Sequence, residues 1–248
     1  MHLQILPYLA CPACLPRDIS LRLHEHKRHG DDLIRGELSC PRCSTRYLVK
    51  DGIAHLTTTH EMPLGEQSKY EQRSVRDRYL WIQYHDLLDY PTADSNFQSW
   101  NQFLPSPTND GLALDTGCAV GRLTFEMGQR LPFAIGCDLS WQFIRTARSL
   151  RTHGFHSFEL PLQGHTSTTV TIRLPEHWKR DAVEFIVADA RRLPLHPGLV
   201  TTAVSLNLLD RIDYPLAHLH DVNRVMHHQK GTFLLASPWC WNEQASLP

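Results

Sequence analysis

Five short apolar runs punctuate the second half of the chain, at residues 112–114, 133–137, 183–188, 199–206 and 232–236. The first two are apolar throughout and the others apolar-rich, broken by Glu184, by Thr201, Thr202 and Ser205, and by Thr232. None alternates strictly, as expected of parallel strands covered on both faces. Between them the period changes to that of a helix. Ser140 is placed to cap one carrying Phe143, Ala147 and Leu150 on a single face, and Pro215 opens another with Leu216, Leu219, Val222 and Met226 inward. Strand and helix alternating in this way predict an α/β fold with a doubly wound sheet over residues 111–248. Residues 151–180 break the alternation: two strand-like stretches, 157–162 and 168–175, flank Gln163-Gly164-His165 and predict an inserted hairpin.

The first sixty residues follow another rule. Ile19 to Leu23 alternates polar and apolar positions, 33–38 can pair with it, and 47–56 reads as strand and turn. Cys11-Pro-Ala-Cys14 and Cys40-Pro-Arg-Cys43 stand 25 residues apart. Each CxxC turn points two thiolates at one centre, and two such knuckles complete a tetrahedral site for Zn²⁺. Four cysteines leave no open coordination position, so Cys11, Cys14, Cys40 and Cys43 predict a structural metal that stabilises a domain too small to fold alone. Residues 61–110 are expected to form a linker and helical lead-in, with Tyr70, Tyr79, Trp81 and Tyr84 either packing or capping a pocket.

Composition narrows the picture modestly. The 248 residues carry a net charge of −1 with histidines neutral, which gives no general pull toward nucleic acid. No run approaches the length of a membrane span, and no signal-peptide pattern opens the chain. Seven cysteines, four of them in the two pairs, make no even disulfide framework, so a reducing cytoplasm is the expected setting. Cys118 and Cys137 read as small buried hydrophobes rather than nucleophiles.

The candidate chemistry centres on Asp115-Thr116-Gly117-Cys118-Ala119-Val120-Gly121, directly after the first apolar strand. Two glycines around small residues allow a ligand close to the backbone, and the helix beyond offers N–H groups. Asp138, at the tip of the second strand and followed by Leu139, suits the two hydroxyls of a ribose. A dinucleotide turn would need a middle glycine, and Asp115 would face a pyrophosphate unfavourably but an amino group favourably. Asn207 and Asp210 follow the fourth strand, on the edge that faces a ligand crevice. Asp210 could equally form a surface pair with Arg211 or Arg224.

The turn resembles motif I of the class I S-adenosylmethionine (SAM) methyltransferases. LPYLACPAC, GELSCPRC and YLVKDGIAHL, over residues 1 to about 57, resemble the small zinc-ribbon proteins that bind and activate tRNA, rRNA and protein methyltransferases. LDTGCAVGRLTFEM, the hairpin, VADARRLP, SLNLLDRIDYPLAHL and LLASPWCW together resemble the methyltransferase domain of ovothiol synthases, which methylates the imidazole of a mercaptohistidine. The resemblance implies a Rossmann-like sheet with SAM and Zn²⁺ as cofactors. It places Asp115, Gly117, Cys118, Ala119 and Gly121 at the amino acid portion of SAM, Asp138 and Leu139 at the ribose, and Asp189 with Ala190 at the adenine. Asn207 would orient methyl or acceptor, Asp210 would take a proton or hold an acceptor amine, and Trp241 would form a pocket wall.

The sheet departs from that family in one respect. About ten residues remain after the fifth strand, too few for the antiparallel hairpin that usually closes it. Its edge is expected to be exposed, covered by the ribbon, or paired with another chain. A small nitrogen acceptor is the expected substrate. The alternatives are a tRNA, rRNA or protein acceptor docked on the ribbon through Arg17, Lys27, Arg28 and Arg42, or a non-catalytic platform for a partner.

Overall fold

A computed structural model describes residues 1–58, 65–88, 96–163 and 166–240. The elements are β1 (Arg22–His29), β2 (Asp32–Ser39), β3 (Arg46–Lys50), β4 (Ile53–Leu56), α1 (Arg73–Tyr84), α2 (Asn96–Trp100), β5 (Leu112–Thr116), α3 (Arg122–Gly128), β6 (Phe133–Asp138), α4 (Trp141–His153), β7 (Phe155–Pro161), β8 (Ser167–Arg173), β9 (Val183–Ala188), β10 (Thr202–Leu206), α5 (Pro215–Val225) and β11 (Thr232–Ala236). Ser140 caps α4 as expected, accepting from Phe143 N at 3.2 Å. The inserted hairpin is β7 paired antiparallel with β8; Gly164 and His165 at its tip lie outside the described residues, as does Trp241.

The five apolar runs are parallel strands in the order β9-β6-β5-β10-β11. Alternate residues of each strand enter two cores. Leu112, Leu114, Phe133, Ile135 and Ile186 face one, and Ala113, Ala134, Phe185 and Val187 the other. Helices α3 and α4, with α1 beyond, cover the second core, while α5 supplies Val222 and Val225 to the first. This is a Rossmann-like, doubly wound sheet with its crevice at the carboxyl ends of the strands.

The N-terminal strands extend that sheet. Antiparallel β1-β2-β3-β4 joins the parallel part through β4, which runs parallel to β9 with His55 opposite Val187 and Leu56 opposite Ala188. Met1, Ile5 and Leu9 enter the same core as Leu114 and Phe133. The sequence boundary near residue 60 therefore follows β4, yet both sides of it share a sheet and a core. The ribbon lies beside β9, at the opposite edge from β11. Among the described residues no strand pairs with the outer side of β11.

A buried ion cluster ties the two parts together. Glu184, on β9, is fully buried and meets the guanidinium of Arg148 on α4. Arg148 also pairs with Asp32 of β2 at 2.7 Å, and Arg151 reaches the same carboxylate at 3.2 Å. Burial alone would raise the Asp32 pKa, but the two guanidinium groups outweigh it and hold the carboxyl at about 2.

Candidate functional site

The four cysteines converge. Their sulfurs all lie within 4.8 Å of one another, with Cys11 and Cys43 at 3.7 Å and Cys14 and Cys40 at 3.7 Å. A tetrahedron of Zn–S bonds of about 2.3 Å sets sulfurs roughly 3.8 Å apart, so the donor set and its spacing fit zinc. Tyr47, buried beneath, directs its hydroxyl to the Cys11 sulfur at 3.2 Å.

A second site opens at the carboxyl ends of the parallel strands, as a cavity of about 560 Å³. Asp115, Gly117, Cys118, Ala119, Asp138, Leu139, Asp189, Ala190 and Asn207 all line it. Two of the residues singled out from sequence do not. Gly121 caps α3 with φ 88°, and a Cβ there would lie 2.6 Å from the Phe185 ring, so its place is in the packing of the turn on β9. Asp210 is fully buried behind the wall, accepting from Ser237 Oγ at 3.2 Å.

The glycine turn wraps over the end of β6. Gly117 N and Cys118 N both donate to the Cys137 carbonyl, at 2.8 and 3.1 Å. Ala119 N donates to Asp138 Oδ2, Gly121 N to the Cys118 carbonyl and Arg122 N to Gln83 Oε1. Five of the N–H groups expected to greet a ligand, those of Gly117, Cys118, Ala119, Gly121 and Arg122, are thus taken by the chain itself. A pyrophosphate finds no open donor at these positions, whereas an ammonium finds carbonyl oxygens and the Asp115 carboxyl. Gly117 sits at φ 71°, and a Cβ would come 2.9 Å from the Leu208 side chain.

Three acids from three neighbouring strand tips face the cavity, each with its own set of partners. Asp115 is buried, and burial foremost pushes its pKa up to about 7; the Asp138 charge adds to this, against a 2.7 Å hydrogen bond from Thr124 Oγ1. Burial also raises Asp138, to about 6, against hydrogen bonds from Ala119 N and Ser140 N at 3.0 and 2.9 Å. Asp189 instead pairs with a guanidinium, that of Arg191, Nη2 to Oδ2 at 2.8 Å.

The remaining walls come from residues that sequence reasoning leaves as packing or does not name. Tyr79, Ile82 and Gln83 share one face of α1 and line the cavity, while Tyr84 turns inward and bonds the Val120 carbonyl at 2.9 Å. Tyr70 and Tyr79 pack around Phe143, with Tyr79 and Phe143 centroids 4.8 Å apart. The helical spacing of Tyr79, Ile82 and Gln83 was the available signal. His218 is fully buried on α5, where Nδ1 meets the Ala190 carbonyl at 3.0 Å and Nε2 the Ser205 hydroxyl at 3.0 Å. A carbonyl only accepts, so Nδ1 carries the proton and Ser205 donates to Nε2. His218 therefore braces the tips of β9 and β10, both of which line the cavity.

Residues 2–52 match the family of Trm112p-like proteins. Among curated proteins none matches the chain. Solved structures with a related arrangement include the complex between the Haloferax volcanii Trm112 methyltransferase activator and the putative methyltransferase. There the identity is 16%, covering 69% of this chain and 59% of that one, with a TM-score of 0.45. For the YcgJ protein of Bacillus subtilis the figures are 14%, 55% and 47%, with a TM-score of 0.43. For phosphoethanolamine N-methyltransferase 2 of Haemonchus contortus in complex with SAM they are 17%, 62% and 30%, with a TM-score of 0.43. The chain spans between about a third and three fifths of these structures, and what its crevice can do is read from its own residues. Among the described residues no helix is long and apolar enough to cross a membrane.

Proposed function

We propose that this chain is a SAM-dependent methyltransferase acting on a nitrogen of a small acceptor, with a thiol-substituted histidine the acceptor implied by the sequence resemblance. One observation carries the reading: Asp115, Asp138 and Asp189, on three adjacent strand tips, line a single cavity under a glycine turn whose N–H groups at Gly117, Cys118, Ala119 and Gly121 are occupied. That arrangement suits a cationic nucleoside and disfavours a pyrophosphate.

SAM would supply an electrophilic methyl group for in-line displacement. The residues of this chain bind, orient and exclude water. Asp115 and the carbonyls of the turn hold an ammonium, Asp138 keeps lone pairs for two ribose hydroxyls, and Asp189 with Ala190 meets the adenine edge. Asn207, in the left-handed region at φ 55° on the tip of β10, is set to orient the transferred methyl or its acceptor. Asp210 acts from behind, holding the turn that carries Arg211. The four-cysteine cluster holds structural Zn²⁺, and a reducing cytoplasmic compartment suits its thiolates.

The test is transfer of labelled methyl from SAM to thiol-imidazoles, histidine, tRNA and protein. Label in the thiol-imidazoles supports the reading. Label only in macromolecules overturns the small-molecule acceptor, and no heat on titration with SAM overturns the enzyme altogether. A second reading, a tRNA or protein acceptor docked on the ribbon, is favoured by one feature, the exposed cations Arg22, Lys27 and Arg28 along β1.

A further inference from the structure

Among the described residues, Arg211 is the one basic side chain that lines the cavity. It follows β10 in the short turn Leu209–Arg211, whose backbone is fixed by Arg211 N donating to the Leu208 carbonyl at 2.8 Å. The guanidinium makes no hydrogen bond with the described residues. Its nearest carboxylate is Asp210, 3.5 Å from Nε, and Asp210 Oδ2 itself lacks a hydrogen-bond partner. A guanidinium presents five donors in a rigid fork suited to a carboxylate. Here Asp210 anchors the Nε side from beneath, and the positive charge extends to the cavity, where it is felt at Tyr79.

Around it the chemistry divides. The acids of the first two strand tips stand at the glycine-turn side, and Asp189 is neutralised by Arg191. Much of the remaining lining is apolar and aromatic: Ile82, Trp100, Phe103, Leu208 and Ile212, with Leu208 against the glycine turn and the Trp100 and Phe103 centroids 6.0 Å apart. A cation with unused donors beside such a wall recognises a molecule that is apolar at one end and anionic at the other. The ammonium-bearing end expected of an acceptor near Asp210 has no carboxylate to meet there, because Asp210 is sealed behind the wall.

Resting on the proposed function, we infer that the methyl acceptor is a small molecule with a flat apolar body and a carboxylate, and that Arg211 is the specificity residue that binds the carboxylate. The experiment uses three probes sharing one body: indole-3-acetate, indole-3-acetamide and tryptamine, titrated calorimetrically into the full chain saturated with S-adenosylhomocysteine. The carboxylate should bind at least tenfold more tightly than the amide, and the amine not detectably. Arg211→Gln, checked for folding by circular dichroism, should erase the preference of carboxylate over amide. Should that variant misfold, Arg211→Lys keeps the charge, and a reduced but surviving preference supports the assignment.

Equal binding of the three probes, tighter binding of the amine, no binding of any probe, or an unchanged preference in Arg211→Gln overturns it. A tenfold loss of S-adenosylhomocysteine affinity in that variant with the probe preference intact would place Arg211 on the carboxylate of the cofactor and also overturn it. Failure of wild-type protein to bind S-adenosylhomocysteine would instead sink the proposed function, while the probe preference, measured without it, still tests Arg211.

Discussion

The hydroxyl of Thr124 donates to Oδ2 of Asp115 at 2.7 Å, joining the first turn of α3 to the tip of β5. This bond opposes the protonation that burial favours, and the carboxyl still settles at about 7. The folded value lies above the unfolded one of about 3.9, so the contribution of this group to stability is whole below about pH 4 and is lost as pH rises through about 7. A cation bound beside Asp115 favours the ionised form. SAM affinity should therefore climb between about pH 5.5 and 8, with proton release measurable by titration in buffers of different ionisation enthalpy. Asp115→Asn should weaken binding and flatten the pH dependence.

Asp138 spends one lone pair of each oxygen on backbone N–H groups, at Ala119 and Ser140. Asp138→Ala removes both these anchors and the proposed ribose contacts. With charge-assisted hydrogen bonds worth about 1.5–3 kcal/mol each, SAM affinity should fall by roughly ten- to a hundredfold or more. Calorimetry at saturating zinc checks this, and wild-type affinity in the variant would contradict the proposed site.

His218 stands between Ala190 and Ser205 as a neutral imidazole, its pKa lowered by burial. A histidine whose folded value lies below the unfolded one contributes stability above about pH 6.5 that fades in acid. His218→Leu should lower SAM affinity by about tenfold in protein that is still folded, through slack in the Ala190 wall, given about 1–1.5 kcal/mol per lost hydrogen bond. His218→Asn, able to donate to the Ala190 carbonyl, should recover most of it.

Removal of zinc should be felt far from the cysteines. Because β4 pairs with β9 and Met1, Ile5 and Leu9 share a core with Leu114, unfolding of the ribbon strips one face of the parallel sheet. Chelation, or Cys14→Ser, should lower the thermal midpoint of the whole chain by roughly 10 °C or more, at about 2–4 °C per kcal/mol for a chain of this size. Two separate transitions, the later one unmoved, would contradict this.

Glu184→Gln leaves Arg148 with half its partners in a closed interior. Breaking one side of a buried pair costs about 3–5 kcal/mol, which urea unfolding would show as a lower midpoint with unchanged slope. In the native chain Asp32 should release its part of the cluster only in strong acid. Its folded value of about 2 lies below the unfolded one, so its contribution is present above about pH 4 and lost toward about pH 2.

What could be read from the sequence follows from where each signal lives. Strands buried on both faces announce themselves as apolar-rich runs, and β5, β6 and β9 appear where the pattern put them; β10 begins only at Thr202, three residues late, and β11 is a half-exposed edge strand. The zinc knuckles and the acids at strand tips are likewise local. Long-range pairing is not: nothing in IAHL says that it runs alongside VEFIVA, and the charge of Glu184 within that strand makes sense only once Arg148 and Asp32 are beside it. His218 is hidden for the same reason, since its partners come from 13 and 28 residues away. Arg211 shows only as a partner for Asp210, because sequence carries no sign of which of two neighbours is sealed in and which faces the opening.

The alignment of His55 and Leu56 with β9 has a practical result. A version of the protein shortened to begin after Leu56 would not be a trimmed form of the same fold. It would bare the apolar border at β9, a surface ready to recruit strands from neighbouring molecules. Such truncation should yield insoluble material, and adding the first fifty-odd residues back as a separate peptide with zinc should restore a soluble pair.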